Sequence, residues 1–184
     1  MFFIRLEHHS QHMEVLDAIK ARRSIRKFED RPIEKEKLDL IADAGRLAPS
    51  AMNEKRVRAV FAIDREEIGI IAEACDPFSW VSSAPCVIAV YADNDRTMKC
   101  GISSKVVDCS IALTNMMLEA TALGLGTVWM GHFDSDMVKR ALAIPEDAVL
   151  TAIMPVGYPA EEGTVREKAP REVFASFDAA RSGE

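Results

Sequence analysis

The segment that most restricts how this chain can fold is a long apolar stretch at residues 105–123. Its spacing predicts an α-helix, and it carries no charged residue between Cys109 and Met117. A helix that is apolar on nearly all sides is normally buried on all sides. The chain has 184 residues, which suits a single domain of ordinary size. We therefore expect this helix to lie at the centre of the domain or against a second subunit.

A second apolar run, at residues 86–91, predicts a central β-strand that is covered on both faces. Hydrophobic spacing and turn residues predict the other elements: helices at 13–21, 34–47, 65–74 and 134–142, and strands at 58–63, 127–130 and 148–156. We expect much of the polar segment 160–184 to be extended. Because no internal repeat or low-complexity linker occurs, we predict a single domain at residues 13–174, an N-terminal extension at 1–12 and a C-terminal tail at 175–184.

The charge balance of the chain disfavours nucleic acid or an acidic membrane as a partner, because the formal net charge is −6. No apolar run approaches the roughly 18 residues that span a bilayer, and the first four residues are too short an apolar stretch for a signal peptide. The four cysteines form no CxxC pair, so we expect a cytoplasmic protein with reduced thiols. His8, His9 and His12 lack the companion ligands of a metal site, so no metal is expected.

A cationic cluster follows the first predicted helix and consists of Arg22, Arg23, Ser24, Arg26 and Lys27. Arginine presents a planar fork of donors that matches phosphate oxygens, so the cluster suggests a bound phosphate group. The alternative is a solvated basic helix end, since cations there complement the helix dipole, and the cluster alone favours this alternative. The chain has no Gly-rich dinucleotide motif and no P-loop motif, so a bound phosphate would be held mainly by side chains.

A second candidate segment is Ala-Pro-Ser-Ala-Met-Asn at residues 48–53. Its small side chains permit a flat ligand to approach the backbone, and Ser50 and Asn53 can form hydrogen bonds with the edge of a heterocycle. The alternative is a polar turn that closes the preceding helix.

Two later segments also have the composition of a ligand site. Residues 124–131 contain three glycines, which allow either close approach of a ligand or an ordinary helix end before a strand. The Gly-Tyr-Pro sequence at 157–159 is followed by Arg166 and Lys168. Two cations one residue apart in an extended segment point the same way, so this pair could complete the anion site that begins at Arg22.

Taken in order, these segments resemble the FMN-dependent nitroreductase family over most of the chain. Residues 22–28 are similar to the family's Arg-Arg-Ser-x-Arg-x-Phe motif, and residues 48–53 to its Ala-Pro-Ser-Ala-x-Asn segment. Residues 108–131 resemble its long helix and the Leu-Gly-Leu-Gly-Thr-x-Trp element that follows, and residues 156–159 its Val-Gly-Tyr-Pro element. Each motif is weak alone, whereas four motifs in this order and at this spacing make a specific signal.

The resemblance implies an α+β fold, with a mixed and largely antiparallel sheet flanked by helices. It also implies an obligate homodimer with two FMN sites at its interface, to which the helix at 105–123 contributes. The cofactor-binding residues implied by the resemblance are Arg22, Arg23, Ser24 and Arg26 at the phosphate and ribityl chain, Arg166 and Lys168 as a late basic pair, Pro49, Ser50, Ala51 and Asn53 of the other subunit along the isoalloxazine ring, and Trp129, Met130 and Gly131 beside its reactive edge.

The activity that the resemblance implies is reduction of a small organic acceptor by NAD(P)H, with a nitroaromatic, quinone, flavin or enone as the acceptor. Hydride would pass through N5 of the bound FMN in a ping-pong cycle, so no protein side chain is expected to act as a catalytic residue. The alternative is a flavin-binding carrier or sensor without efficient turnover.

Residues 54–57 depart from the family pattern, since Glu-Lys-Arg-Val stands where its members usually have x-Gln-Pro-Trp. Lys55 either lies near the pyrimidine side of the flavin, where a cation would stabilise the reduced form, or is solvated together with Arg56. In the loop at 76–83, Phe78 and Trp80 form either a cover over the substrate side or an aromatic pair of the core.

Overall fold

The structure, a computed structural model, describes residues 13–93 and 95–177. Its centre is a four-stranded antiparallel sheet. The strands are β1 (Val57–Ala62), β2 (Cys86–Ala92), β3 (Gly126–Thr127) and β4 (Val149–Gly157), and they lie side by side in the order β1-β2-β4-β3. The three N-terminal histidines considered above as metal ligands lie outside the described residues.

The described residues form six helices beside the sheet, and aspartates fix where two of them begin. The helices are α1 (Val15–Ala21), α2 (Lys35–Arg46), α3 (Arg65–Ala74), α4 (Ser104–Ala122), α5 (Ser135–Ala141) and α6 (Arg171–Phe174), with 3₁₀ turns at Ala51–Asn53 and Ser79–Ser83. Asp64 precedes α3, Asp134 precedes α5, and each carboxylate accepts two backbone N–H groups of the first turn. Within the part of the chain that the structure describes, no helix combines the length and apolarity needed to cross a membrane.

The core lies on both faces of the sheet, and β2 is buried on both, as its sequence predicts. Ile88 and Val90 belong to a cluster that contains residues of α2 and α4, whereas Val87 and Ala89 belong to a second cluster that contains residues of α3 and α5. The inward face of α4 includes Leu113, which is fully buried against the first of these clusters. The apolar helix predicted at 105–123 therefore covers one face of the sheet.

The structure differs from the sequence-based expectation in the last part of the sheet. All four strands pair antiparallel, and the parallel component seen in the described residues is an isolated bridge between Ser24 and Thr127. The strand predicted at 127–130 is shorter than expected, since β3 ends at Thr127 and the chain pairs again only at Met130. The Val128 N–H donates to the Pro155 carbonyl at 3.3 Å, but Pro155 has no N–H to donate in return, so the ladder is interrupted there.

Candidate functional site

The cationic segment, residues 22–28, is fixed between two other parts of the fold by backbone hydrogen bonds. The Ile25 N–H donates to the Thr127 carbonyl at 3.0 Å, and the Ala160 N–H donates to the Lys27 carbonyl at 2.9 Å. The side chains of Ile25 and Phe28 are buried in the core. The first, third and fourth sequence motifs therefore meet in one place, although Ile25 and Thr127 are 102 positions apart in the chain.

Two glycines make this meeting possible because they leave room for the cationic segment. A Cβ atom at Gly126 would lie 2.7 Å from Cγ1 of Ile25, and a Cβ atom at Gly163 would lie 2.8 Å from Cβ of Arg23. Gly163 also has a φ of +71°, which favours glycine. In this structure both glycines serve the packing of the cationic segment.

The three arginines of the segment are used differently. Nη1 of Arg23 donates to the carbonyls of Lys20 (2.5 Å) and Arg22 (2.8 Å), so this side chain closes the C-terminal end of α1. Arg23 therefore acts at least partly as a basic residue that stabilises the end of α1, as the helix-end alternative predicts. Among the residues that the structure describes, no ion pair engages the side chain of Arg22 or Arg26. Within the described residues, therefore, no carboxylate prevents these two guanidinium groups from binding an anion.

Thr127 belongs to the Leu-Gly-Leu-Gly-Thr-x-Trp element, but it is not among the cofactor-binding residues that the resemblance implies. Its side chain is buried, and its Oγ1 has no hydrogen-bond partner among the described residues. The backbone bridge places Thr127 beside Ser24, whose hydroxyl is a further donor. The place of Thr127 in that element is the signal that could have indicated it. Arg166 and Lys168, which the resemblance adds to this site, are exposed in a segment without regular structure.

The tyrosine of the fourth motif fastens the end of β4 to α2. Oη of Tyr158 donates to Oε2 of Glu34 at 2.5 Å and accepts from Nζ of Lys37 at 2.9 Å, while the Arg31 guanidinium lies 3.7 Å from the ring centroid. The hydrogen bond from Tyr158 is the main reason why the pKa of Glu34 falls to about 2. The Tyr158 carbonyl also accepts the Glu29 N–H at 2.9 Å, so Tyr158 connects the end of β4 both to α2 and to the residue that follows the cationic segment.

The second half of the candidate site is a sharp corner at residues 50–55, which follows α2. Three of its residues have a left-handed backbone although none is glycine: Met52 and Asn53 with φ of 53°, and Lys55 with φ of 58°. Such conformations cost of the order of 1–3 kcal/mol each and persist only where the surroundings impose them. Contacts with other parts of the protein must therefore stabilise the backbone conformation of the corner.

The charged groups that hold the corner come from the start of α4. The Ala51 N–H donates to Oδ1 of Asp108 at 2.8 Å, and Nζ of the fully buried Lys105 donates to Oε2 of Glu54 at 2.5 Å. This bond, followed by the charge of Arg96, lowers the pKa of the Glu54 carboxyl. Sequence reasoning missed these residues. The signal that could have found them is a Lys and an Asp three positions apart on an otherwise apolar helix.

A cavity of about 550 Å³ lies between the corner, α2, β1 and α4. Ser50, Asn53 and Lys55 line it from the corner, while Phe61 and Met116 contribute apolar surface. The two cations of the altered segment thus differ, because Lys55 faces this cavity whereas Arg56 pairs with Asp93 at 3.3 Å. The cavity combines an apolar wall with a polar edge, which suits a flat heterocyclic ligand.

Trp129, Met130 and Gly131 differ in what they can offer a ligand. Met130 is buried, and both its N–H and its carbonyl are bonded to Ile153. The indole of Trp129 is 41% exposed, and a Cβ atom at Gly131 would lie 3.3 Å from its Cζ3. Trp129 and Gly131 can therefore face a ligand, while Met130 holds them against the sheet.

The aromatic residues of the loop before β2 lie near each other, with 6.4 Å between the ring centroids of Phe78 and Trp80, but they differ in burial. Trp80 packs against the core cluster on the α3 side of the sheet, as the core alternative requires. Phe78 is exposed, and its ring meets the His132 ring edge-on with 5.1 Å between the centroids. The loop thus brings one partly exposed aromatic ring to the residues that follow Trp129.

The two halves of the candidate site are not joined within one protomer. No hydrogen bond of the described residues connects the cationic segment to the corner. The cationic segment borders β3, at one edge of the sheet, whereas the corner leads directly into β1 at the other edge.

Comparison with known proteins gives a consistent result. The family model described as Nitroreductase family matches residues 19–75 and 70–158. A protein of Methanothermobacter thermautotrophicus, assigned as an NADH dehydrogenase/NAD(P)H nitroreductase, is 38% identical over 159 residues, which cover 84% of this chain and 82% of that protein.

Two solved structures extend the comparison to the fold. One is a protein of Desulfovibrio desulfuricans, assigned as a nitroreductase in complex with FMN. It is 28% identical, has a TM-score of 0.78, and the match covers 93% of this chain and 100% of that chain. The other is the NADPH:FMN oxidoreductase of Vibrio harveyi complexed with NAD⁺, which is 26% identical with a TM-score of 0.83 over 92% of this chain and 79% of that chain.

Proposed function

This chain belongs to the nitroreductase family, and from that premise we propose that it is a flavin oxidoreductase that binds FMN and uses NAD(P)H to reduce a small organic acceptor. FMN in the Desulfovibrio structure and NAD⁺ in the Vibrio structure support this choice of cofactor and reductant. The acceptors that we propose are nitroaromatics, quinones, flavins and enones. When bound, FMN would supply a ring nitrogen, N5, that can take up hydride from NAD(P)H and pass it to the acceptor, in the ping-pong order that we propose.

The observation that carries the proposal is the fixed cationic segment, in which the guanidinium groups of Arg22 and Arg26 form no ion pair with any described residue. Arg22, Ser24 and Arg26 would bind the phosphate of the cofactor through charge-assisted hydrogen bonds. The unpartnered Oγ1 of Thr127 beside Ser24 fits an additional polar ligand group at this place. A guanidinium group has five N–H donors, and Arg23 would contact the phosphate through those that do not bond to the end of α1. The exposed pair at Arg166 and Lys168 would add two further cations.

The isoalloxazine ring would lie against the corner of the partner subunit. Ser50 and Asn53 present hydroxyl and amide groups that can bond the ring edge, and Pro49 offers a flat apolar surface. The N–H of Ala51 is already bonded to Asp108, so this residue would contact the ring only through its small side chain. Trp129 and Gly131 would line the reactive edge and exclude water there.

A homodimer is part of the proposal because it would join the two halves of the site. The outer side of α1 exposes Val15, Leu16 and Ile19, and the outer side of α4 forms a shallow groove that includes Val106 and Ile111. A monomeric protein rarely leaves this much apolar surface in water. The corner leads into β1, which is an edge strand of the described sheet. In the homodimer that we propose, the cationic segment of one copy would lie against the corner of the other.

Anaerobic reduction of the purified protein tests this function. We expect the purified protein to carry a visible flavin band, to lose it on addition of NADH or NADPH without oxygen, and to regain it with a suitable acceptor. A panel of nitroaromatic, quinone, flavin and enone acceptors would then define the substrate class. A protein that binds FMN but leaves it oxidised in excess NADH and NADPH is a carrier or sensor, and a protein that binds no FMN contradicts the proposal.

A further inference from the structure

The start of α4 carries two buried charged groups that have no role in the proposed cofactor contacts. Lys105 is fully buried, with Nζ 2.5 Å from Oε2 of Glu54 and 3.6 Å from Oδ2 of Asp108. A buried ammonium group is tolerated only when nearby carboxylates replace its lost hydration. Lys105 therefore requires both carboxylates at these positions.

The same carboxylates determine the path of the corner at residues 50–55. Oδ1 of Asp108 accepts the Ala51 N–H at 2.8 Å, and Glu54, three residues later, is bonded to Lys105. The other oxygen of Glu54 lies 3.4 Å from Nη2 of Arg96, so both of its oxygens face cations. Both ends of the segment 51–54 are thus attached to charged groups, and the main attachment at each end is to the first turns of α4.

The corner needs this attachment because of its backbone. Met52, Asn53 and Lys55 adopt left-handed conformations that side-chain-bearing residues normally avoid. Asn53 and Lys55 line the cavity in this conformation. If the attachment to α4 were lost, the corner would populate other conformations, and these two side chains would move away from the cavity.

We infer that Lys105 and Glu54 are positioning residues, which hold the corner in the conformation that contacts the flavin. The inference rests on the proposed FMN site, and neither residue touches the cofactor in it. The apparent affinity for a ligand falls in proportion to the fraction of molecules in the binding-competent conformation. Loss of the Lys105–Glu54 pair therefore weakens FMN binding even where the protein remains folded.

The test is an FMN titration of the full-length apoprotein with Lys105→Met, Glu54→Gln and the double variant, followed by quenching of flavin fluorescence. The titration is run well below each variant's unfolding temperature, so that a loss of stability leaves the folded fraction unchanged. If the competent fraction falls to about one tenth, the Kd for FMN rises about tenfold in Lys105→Met. We expect the double variant to bind no more weakly than this single variant, because both substitutions remove the same interaction.

The matched control is Lys35→Met, which removes an exposed pair with Asp39 of similar length, 2.6 Å. We expect its Kd to equal that of the wild type. If Lys105→Met does not fold, the inference is tested with Glu54→Gln. We expect this variant to fold, because the amide keeps the shape of the side chain and an acceptor oxygen at a partly exposed site. A fall of the competent fraction to about one third would raise its Kd about threefold.

Hydrogen exchange at residues 51–55 gives a second readout that needs no cofactor. We expect faster exchange there in Lys105→Met or Glu54→Gln than in the wild type and Lys35→Met. A folded Glu54→Gln variant with the wild-type Kd, or with wild-type exchange in the corner, overturns the inference. A wild-type protein that binds no FMN contradicts the proposed function instead, and the exchange measurement still shows whether Lys105 and Glu54 hold the corner.

Discussion

Gly126 is the position where a single added methyl group should disturb the cationic segment most directly. A Cβ atom there would lie 2.7 Å from Cγ1 and 2.9 Å from Cβ of Ile25, which is closer than non-bonded carbon atoms approach. Ile25 cannot turn away, because it is buried in the core and its Cβ is fixed by a backbone that bonds to Thr127. Gly126→Ala must therefore displace the backbone of Ile25 or of β3.

The expected magnitude follows from the cost of overpacking a core, about 1–3 kcal/mol. For a chain of this size, 1 kcal/mol changes the melting temperature by about 2–4 °C, so we expect a decrease of roughly 2–12 °C. The matched control is Gly69→Ala in α3, where a Cβ atom would meet no atom within 4 Å. This control should gain about 0.5–1 kcal/mol, because alanine is a better helix former than glycine.

Thermal unfolding of the two variants and the wild type, followed by circular dichroism at one protein concentration, measures the effect. A double variant with Ile25→Ala should be less destabilised than the sum of the two single variants, since the alanine side chain lacks the Cγ atoms that the new methyl group meets. A Gly126→Ala protein as stable as the wild type, or a double variant with strictly additive losses, would refute the packing argument.

Three other predictions concern the site and its surroundings. Arg26→Ala should weaken FMN binding by about 1.5–3 kcal/mol, roughly 10- to 150-fold, which isothermal titration would measure; an unchanged Kd would remove Arg26 from the phosphate site. The pKa of Glu34 falls from 4.5 to about 2 on folding, so its contribution to stability is present above pH 4.5 and is lost as the pH falls towards 2. Tyr158→Phe should reduce this acid sensitivity in urea unfolding between pH 6 and pH 3, and an unchanged pH dependence would contradict it. Ile111 lies in the outer groove of α4, so Ile111→Asp should convert the proposed dimer to a folded monomer, which sedimentation would measure. Leu113→Asp should instead unfold the protein, because Leu113 faces the core. A dimer that persists in Ile111→Asp would place the interface elsewhere.

The elements that the sequence predicts well are those whose signal is local. The long helix was expected at 105–123 and is found at Ser104–Ala122, and the helix at Arg65–Ala74 agrees at both ends. Helical spacing, capping aspartates and an unbroken apolar strand depend on residues within one or two turns of each other, so periodicity alone reveals them. The order of four short motifs was enough to indicate the family, which the comparisons confirm.

The arrangement of the site depended on contacts that are distant in the chain. Lys105 and Glu54 are 51 residues apart, and Asp108 and Ala51 are 57 apart, so no local pattern relates them. The interruption after Thr127 likewise arises from a proline on a neighbouring strand.

What the amino-acid sequence determined by itself is the set of helices and strands, the cationic segment and the family. The tertiary structure decided which charged side chains form ion pairs and which of those pairs are buried. It also decided which residues adopt backbone conformations that they normally avoid. The physical reason is that burial and pairing are properties of the packed chain, since the environment of a side chain is created by residues that only folding brings beside it.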